Sequence, residues 1–152
     1  MARILLLEGD SPVRTLTRRI LVMEGYDVVD VSLARDALRV IDEATFDLAV
    51  VDVDAADGQS YELLDTLHTR PETSSMPVIV TSAADDPDGV IREARAGVVD
   101  HLRKPYGFGQ LASAVRRVLE SDPADLADLR VIRNAADLYR DTFELARAIK
   151  KP

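Results

Sequence analysis

The chain has 152 residues, 47% of them hydrophobic and 30% charged, with no cysteine and a formal net charge of −8. That is enough apolar material for one domain with its own core plus an appendage, and it excludes a disulfide framework or a thiolate metal site. The negative charge argues against direct nucleic-acid binding by the whole chain, and no apolar run is long enough to span a membrane. Met-Ala-Arg leads straight into a strand-like run and leaves no room for a signal peptide, so a cytoplasmic protein is expected.

Ile4-Leu5-Leu6-Leu7 reads as a strand buried on both faces and runs into Glu8-Gly9-Asp10. Residues 11–24 predict a helix through Val13, Leu16, Ile20 and Met23, with Ser11 as N-cap, Pro12 at the first helical position and Gly25 as the stop. Residues 27–31 make a short strand, and 33–44 a helix with Ala34, Ala37, Leu38 and Ile41 on one face. The third strand, 47–51, runs into Asp52-Val53-Asp54, and a helix over 59–69 uses Leu63, Leu64 and Leu67. After a loop over 70–75, a strand over 77–81 leads into Ser82 and a helix covers roughly 86–96. A strand over 98–102 runs into Arg103-Lys104-Pro105, and the next helix, 107–120, uses Leu111, Val115 and Val118. Five β-α units predict a three-layer α/β sandwich around a parallel five-stranded sheet, filling residues 1–120.

Residues 121–152 differ in pattern. Ser121-Asp122-Pro123 is a break with helix-start chemistry, and beyond it Leu126, Leu129, Ile132, Ala136, Tyr139 and Phe143 recur at alternating steps of three and four. Val131, Leu138 and Leu145 form a second stripe beside the first. One helix over 123–149 is expected, and a helix with two apolar stripes needs a partner surface. Leu129, Ile132, Ala136, Tyr139 and Phe143 are therefore the expected seam of a homodimer. Packing of this helix back on its own domain is the alternative.

In a parallel sheet the ligand site lies beyond the carboxyl ends of the strands. Glu8, Asp52, Ser82 and Lys104 would then share one rim, a set of oxygens, hydroxyl and ammonium suited to a divalent cation and a phosphoryl group.

These residues, in this order and spacing, resemble the receiver domain of two-component response regulators over about residues 3–120. The family pattern is an acidic pair after the first strand, a phosphorylatable Asp after the third, Thr or Ser after the fourth and Lys-Pro after the fifth. It falls here on Glu8-Gly9, Asp52, Ser82 and Lys104-Pro105, with Asp57-Gly58 and Ala96-Gly97 also matching. The resemblance implies a flavodoxin-like fold and a phosphorelay signalling protein, not an enzyme. Asp52 would be the phospho-acceptor, with Ser82 and Lys104 contacting the phosphoryl group and Ser82 and His101 acting as switch residues. A histidine kinase or phosphotransfer protein would be the donor. Mg2+ would be held by Glu8 and Asp52, helped by Asp10 or Asp54.

Three departures from the family pattern bear on the site. Gly9 stands where the family has its direct metal ligand, so Mg2+ is expected to bind weakly. The loop after Asp52 lacks the family's Met-Pro and looks two residues short. His101 holds the place of the aromatic switch residue, where it is either a rotating switch or a static polar group; His68 reads as a helix-surface residue. Asp10 has the alternative of capping the first helix. Two other functions compete. One is a pseudo-receiver that binds partners without phosphorylation. The other, suggested by Asp52-Val53-Asp54, is a haloacid-dehalogenase-type phosphatase, which this chain fails to match because its motif follows the third strand and no acidic pair follows Lys104.

Overall fold

The computed structural model describes residues 1–83, 93 and 96–129. Five parallel strands form one sheet: β1 (Arg3–Leu7), β2 (Asp27–Val31), β3 (Leu48–Asp52), β4 (Val78–Ser82) and β5 (Asp100–Arg103). Their order is β2-β1-β3-β4-β5. Four helices lie wholly among the described residues up to Glu120: α1 (Ser11–Met23), α2 (Ala34–Glu43), α3 (Ser60–Thr69) and α4 (Phe108–Glu120). The predicted helix over 86–96 lies outside the described residues except for Glu93, which is helical, and Ala96, in the turn that follows.

Side-chain alternation explains why the strand runs are continuously apolar. Leu5, Leu7, Ala49, Val51, Val78 and Val80 enter one core with Ala34, Ala37 and Ile41 of α2 and Leu63, Leu64 and Leu67 of α3. Ile4, Leu6, Leu48, Val50 and Ile79 enter the other, with Leu21 of α1 and Leu111, Val115 and Val118 of α4. A strand buried on both faces has no polar side to show in its sequence. Connections leave β1 toward β2 on one side and β3 toward β4 on the other. The crevice at the carboxyl ends of β1 and β3 is thus the topological switch point.

Two helix expectations are corrected. The N-cap of α1 is Asp10, whose carboxylate accepts from Val13 N–H at 3.1 Å, while Ser11 is the first helical residue and Pro12 the second. Either position suits a proline that needs no N–H partner, so Asp10 can reach across one more residue. The face of α1 is also turned. Thr17 and Leu21 are its buried residues, whereas Leu16 is 45% and Met23 86% exposed. Residues 16 and 17 sit about 100° apart around a helix, so a rotation of one position moves the apolar stripe off the core.

The N-terminus of α2 illustrates a long-range cap. Leu33 precedes it and has no capping side chain. Asp57, from the loop after β3, supplies the acceptor to Ala34 N–H at 3.3 Å and Arg35 N–H at 3.0 Å. Gly58, at φ +67°, turns the chain just after it. Burial pushes the Asp57 carboxyl up, but the N–H groups of Arg35, Ala34 and Gln59 together hold it below its ordinary value. A lowered folded value means stability that is present above about pH 3.8 and is lost as the pH falls through the lower folded value. Asp57→Ala is expected to lose about 1 kcal/mol at neutral pH. A urea midpoint unchanged from the parent would contradict this.

Beyond α4, residues 123–129 are helical. Leu126 is buried and belongs to the core shared by α1 and α4, with Leu129 packed against it. The first turns of the extension therefore rest on the domain's own core. Ile132, Ala136, Tyr139 and Phe143 of the expected seam lie outside the described residues.

Candidate functional site

At the carboxyl ends of β1, β3 and β5, three charged side chains meet. Lys104 Nζ lies 2.9 Å from Glu8 Oε1 and 3.2 Å from Asp52 Oδ2. Glu8 and Asp52 are buried, and the Lys104 side chain is 21% exposed. The Lys104 main chain is held to the end of β4, its N–H bonding the Ser82 carbonyl at 2.7 Å. Asp52 is held on every side. Its Oδ2 also accepts from Gly9 N–H at 3.0 Å, its Oδ1 from Asp54 N–H at 2.9 Å, and its carbonyl from the buried Ser60 hydroxyl at 2.8 Å. Glu8 Oε1 accepts additionally from Asp10 N–H at 3.1 Å.

The electrostatics follow from this burial. Desolvation, seconded by the charge of Asp52, holds the Glu8 carboxyl above its ordinary value despite Lys104. Burial works against the ammonium of Lys104, but Glu8 and Asp52 outweigh it and hold its pKa above that of an ordinary lysine. The Tyr106 phenol is also pushed up, by burial first and then by the charge of Glu8.

The metal test goes against a ready site. Magnesium demands near-octahedral oxygen coordination, and among the described residues no group of three or more His, Asp or Glu side chains is placed to hold an ion. Between Glu8 and Asp52 stands Lys104. Asp10 caps α1, and Asp54 Oδ2 accepts from Ala83 N–H at 2.7 Å, which ties the loop after β3 to the end of β4. Gly9 contributes no side chain where one would matter, since a Cβ there would lie 3.4 Å from Asp52 Oδ2 and 3.6 Å from Ala55 Cα. As they stand, the residues do not make a magnesium site.

Ser82 is the last residue of β4, one beyond Thr81, the ladder partner of Asp52. Its hydroxyl lies 2.9 Å from His101 Nε2, and His101 Nδ1 lies 2.7 Å from Glu93 Oε2. His101 is thus bonded at both ring nitrogens. The structure brings Glu8, Asp52 and Lys104 together and links Ser82 with His101. Sequence reasoning missed Glu93, Ser60 and the capping role of Asp57. Glu93 gave no local signal, since its spacing is that of an ordinary helix acid and only the fold shows it buried.

The chain is thus a doubly wound α/β domain whose switch-point crevice holds Glu8, Asp52 and Lys104. The family described as response regulator receiver domain matches residues 4–116, and the chain belongs to it. It is 27% identical over 154 residues to the transcriptional regulatory protein HprR of Escherichia coli, covering 98% of this chain and 68% of HprR. To the transcriptional regulatory protein KdpE of Mycobacterium tuberculosis it is 28% identical over 155 residues, covering 91% and 67%. To the DNA-binding transcriptional regulator NtrC of Rhizobium meliloti it is 33% identical over 119 residues, covering 78% of this chain but 24% of NtrC. The chain thus spans about two thirds of the first two relatives and a quarter of the third. Among solved structures, it is similar to a CheY-like response regulator receiver domain protein from Methanospirillum hungatei, with TM-score 0.74, 26% identity and coverage of 79% and 94%. A signal receiver domain of a histidine kinase from Syntrophus aciditrophicus gives TM-score 0.72 and 28% identity, with coverage of 80% and 96%.

Proposed function

We propose that this receiver accepts a phosphoryl group on Asp52 from a histidine kinase or phosphotransfer protein and signals through protein contacts. The observation that carries the reading is Lys104, whose ammonium touches both Asp52 and Glu8. A carboxylate attacking a phosphoryl donor brings negative charge against negative charge, and a fixed cation beside the nucleophile offsets that repulsion. An Asp52 oxygen forms the bond to phosphorus, the bond to the donor breaks, and the electron pair leaves with the donor. Lys104 stays beside the transferred group, and Ser82 offers its hydroxyl to it on leaving His101. The backbone N–H groups of Gly9 and Asp54 keep the carboxylate aimed throughout.

Incubation with acetyl phosphate followed by intact-mass measurement tests this reading. One added phosphoryl group is expected, absent in Asp52→Asn. A shift that survives the substitution would move the acceptor elsewhere, and the absence of a shift with any donor would favour a phosphorylation-independent interaction module, the second reading that Gly9 supports.

The extension over 121–152 is proposed as a dimerisation helix whose seam begins after Leu129, since Leu126 is committed to the domain core. Sedimentation equilibrium should show the full chain as a dimer at roughly tens of micromolar, and a chain ending at Leu129 as a monomer. A monomeric full chain would instead place the whole helix on its own receiver. No direct nucleic-acid contact is proposed, and no described helix is long and apolar enough to cross a membrane.

A further inference from the structure

We propose that Glu93 and His101 form a latch on Ser82: Glu93 fixes the imidazole in its Nδ1–H form, and Nε2 then accepts the hydrogen bond of the Ser82 hydroxyl, committing that donor to the imidazole rather than to a phosphoryl group on Asp52. This rests on Asp52 as the acceptor for its consequence, but not for the latch itself.

A carboxylate can only accept, so the 2.7 Å contact between Glu93 Oε2 and His101 Nδ1 has the ring nitrogen as donor. In the neutral imidazole of the latch, which carries one N–H, Nε2 is left as an acceptor, and its partner at 2.9 Å, the Ser82 hydroxyl, is the donor. Burial holds the line together: Glu93 is 1% and Ser82 3% exposed, and the His101 side chain 22%. The main chain is fixed on both sides as well. His101 N–H bonds Asp100 Oδ1, Asp100 is paired with Arg117 of α4, and the Ser82 carbonyl accepts from Lys104 N–H.

A serine hydroxyl has a single proton. To donate it to a phosphoryl oxygen, Ser82 must leave Nε2 and strand an acceptor in a mostly buried site, which opposes recruitment. Glu93 and His101 are therefore positioning residues. An aromatic hydrocarbon at position 101 would exert no such hold on the serine.

Long-range proton–nitrogen NMR of the nitrogen-labelled full chain at pH 8 tests the latch directly, with the exposed His68 as internal reference. His101 should show the Nδ1–H tautomer. Glu93→Met should reduce that preference by about fivefold, the scale of one net hydrogen bond. Glu93→Gln, whose carbonyl oxygen still accepts, should restore it. An Nε2–H tautomer, an imidazolium, or a preference indifferent to Glu93→Met would overturn the latch. After acetyl phosphate treatment, His101→Phe should lengthen the lifetime of the phosphoryl group by roughly fivefold. The same change should have no effect in a Ser82→Ala background. Equal lifetimes in His101→Phe and the parent would overturn the proposed consequence. If no variant takes up a phosphoryl group, the acceptor assignment and that consequence fall together, while the tautomer still decides the latch.

Discussion

Gly9→Asp is expected to tighten magnesium binding by at least about tenfold. A Cβ at position 9 meets Asp52 Oδ2 at 3.4 Å, so the new carboxylate arrives beside the existing one without backbone strain. One further unit charge at ~4 Å from a cation is worth about 4 kcal/mol in a partly screened site, so a tenfold gain asks for only part of the available interaction. The substitution also gives magnesium a reason to displace Lys104 from between Glu8 and Asp52. Without metal, the added charge repels Asp52, so the variant should be less stable than the parent in chelator and regain stability with magnesium, as linkage requires. Calorimetric titration of both chains decides the matter. Equal affinities would mean that Glu8, Asp10 or Asp54 already fills the missing position, against the contacts that occupy Asp10 and Asp54 here.

Lys104→Met is expected to destabilise the domain by about 3 kcal/mol, the largest single-residue stability effect anticipated outside the apolar core. Removing the ammonium leaves Glu8 and Asp52 buried with no cation between them. The loss should be coupled to its partner. In a double-mutant cycle with Glu8→Gln, the second substitution should restore much of the stability, because it removes one of the two uncompensated charges. Denaturant unfolding of the four chains measures this. Additive effects would show that Lys104 acts by its aliphatic stem alone.

The fold was legible because its signals are local. Runs such as Ile4–Leu7 and Val78–Val80 can be only strands buried on both faces or pieces of buried helix, and the turn residues at their ends settle which. The order of acid, aspartate, hydroxyl and lysine at those ends located the rim. What escaped the sequence is what depends on rotation or reach. Asp10 and Ser11 have equal capping chemistry, and only the chain's path chose Asp10. The turn of α1 that buries Thr17 and exposes Met23 is set by packing against the sheet. The contact of Lys104 with Glu8 joins residues 96 apart in sequence, and Glu93 meets His101 through a fold that no local spacing reports. The expectation of weak magnesium binding rests on Gly9 and on the altered loop after Asp52. Lys104, standing between the remaining carboxylates, supplies a further and independent reason for it.

Asp52 as the phosphoryl acceptor is tested most directly by hydride trapping. An acyl phosphate is reduced by borohydride to the alcohol with release of phosphate, so treatment after acetyl phosphate should convert residue 52, and no other aspartate, to homoserine in peptide mass mapping. Recovery of Asp52 unreduced in a chain that carries a phosphoryl group, or homoserine at position 10 or 54 instead, would contradict it.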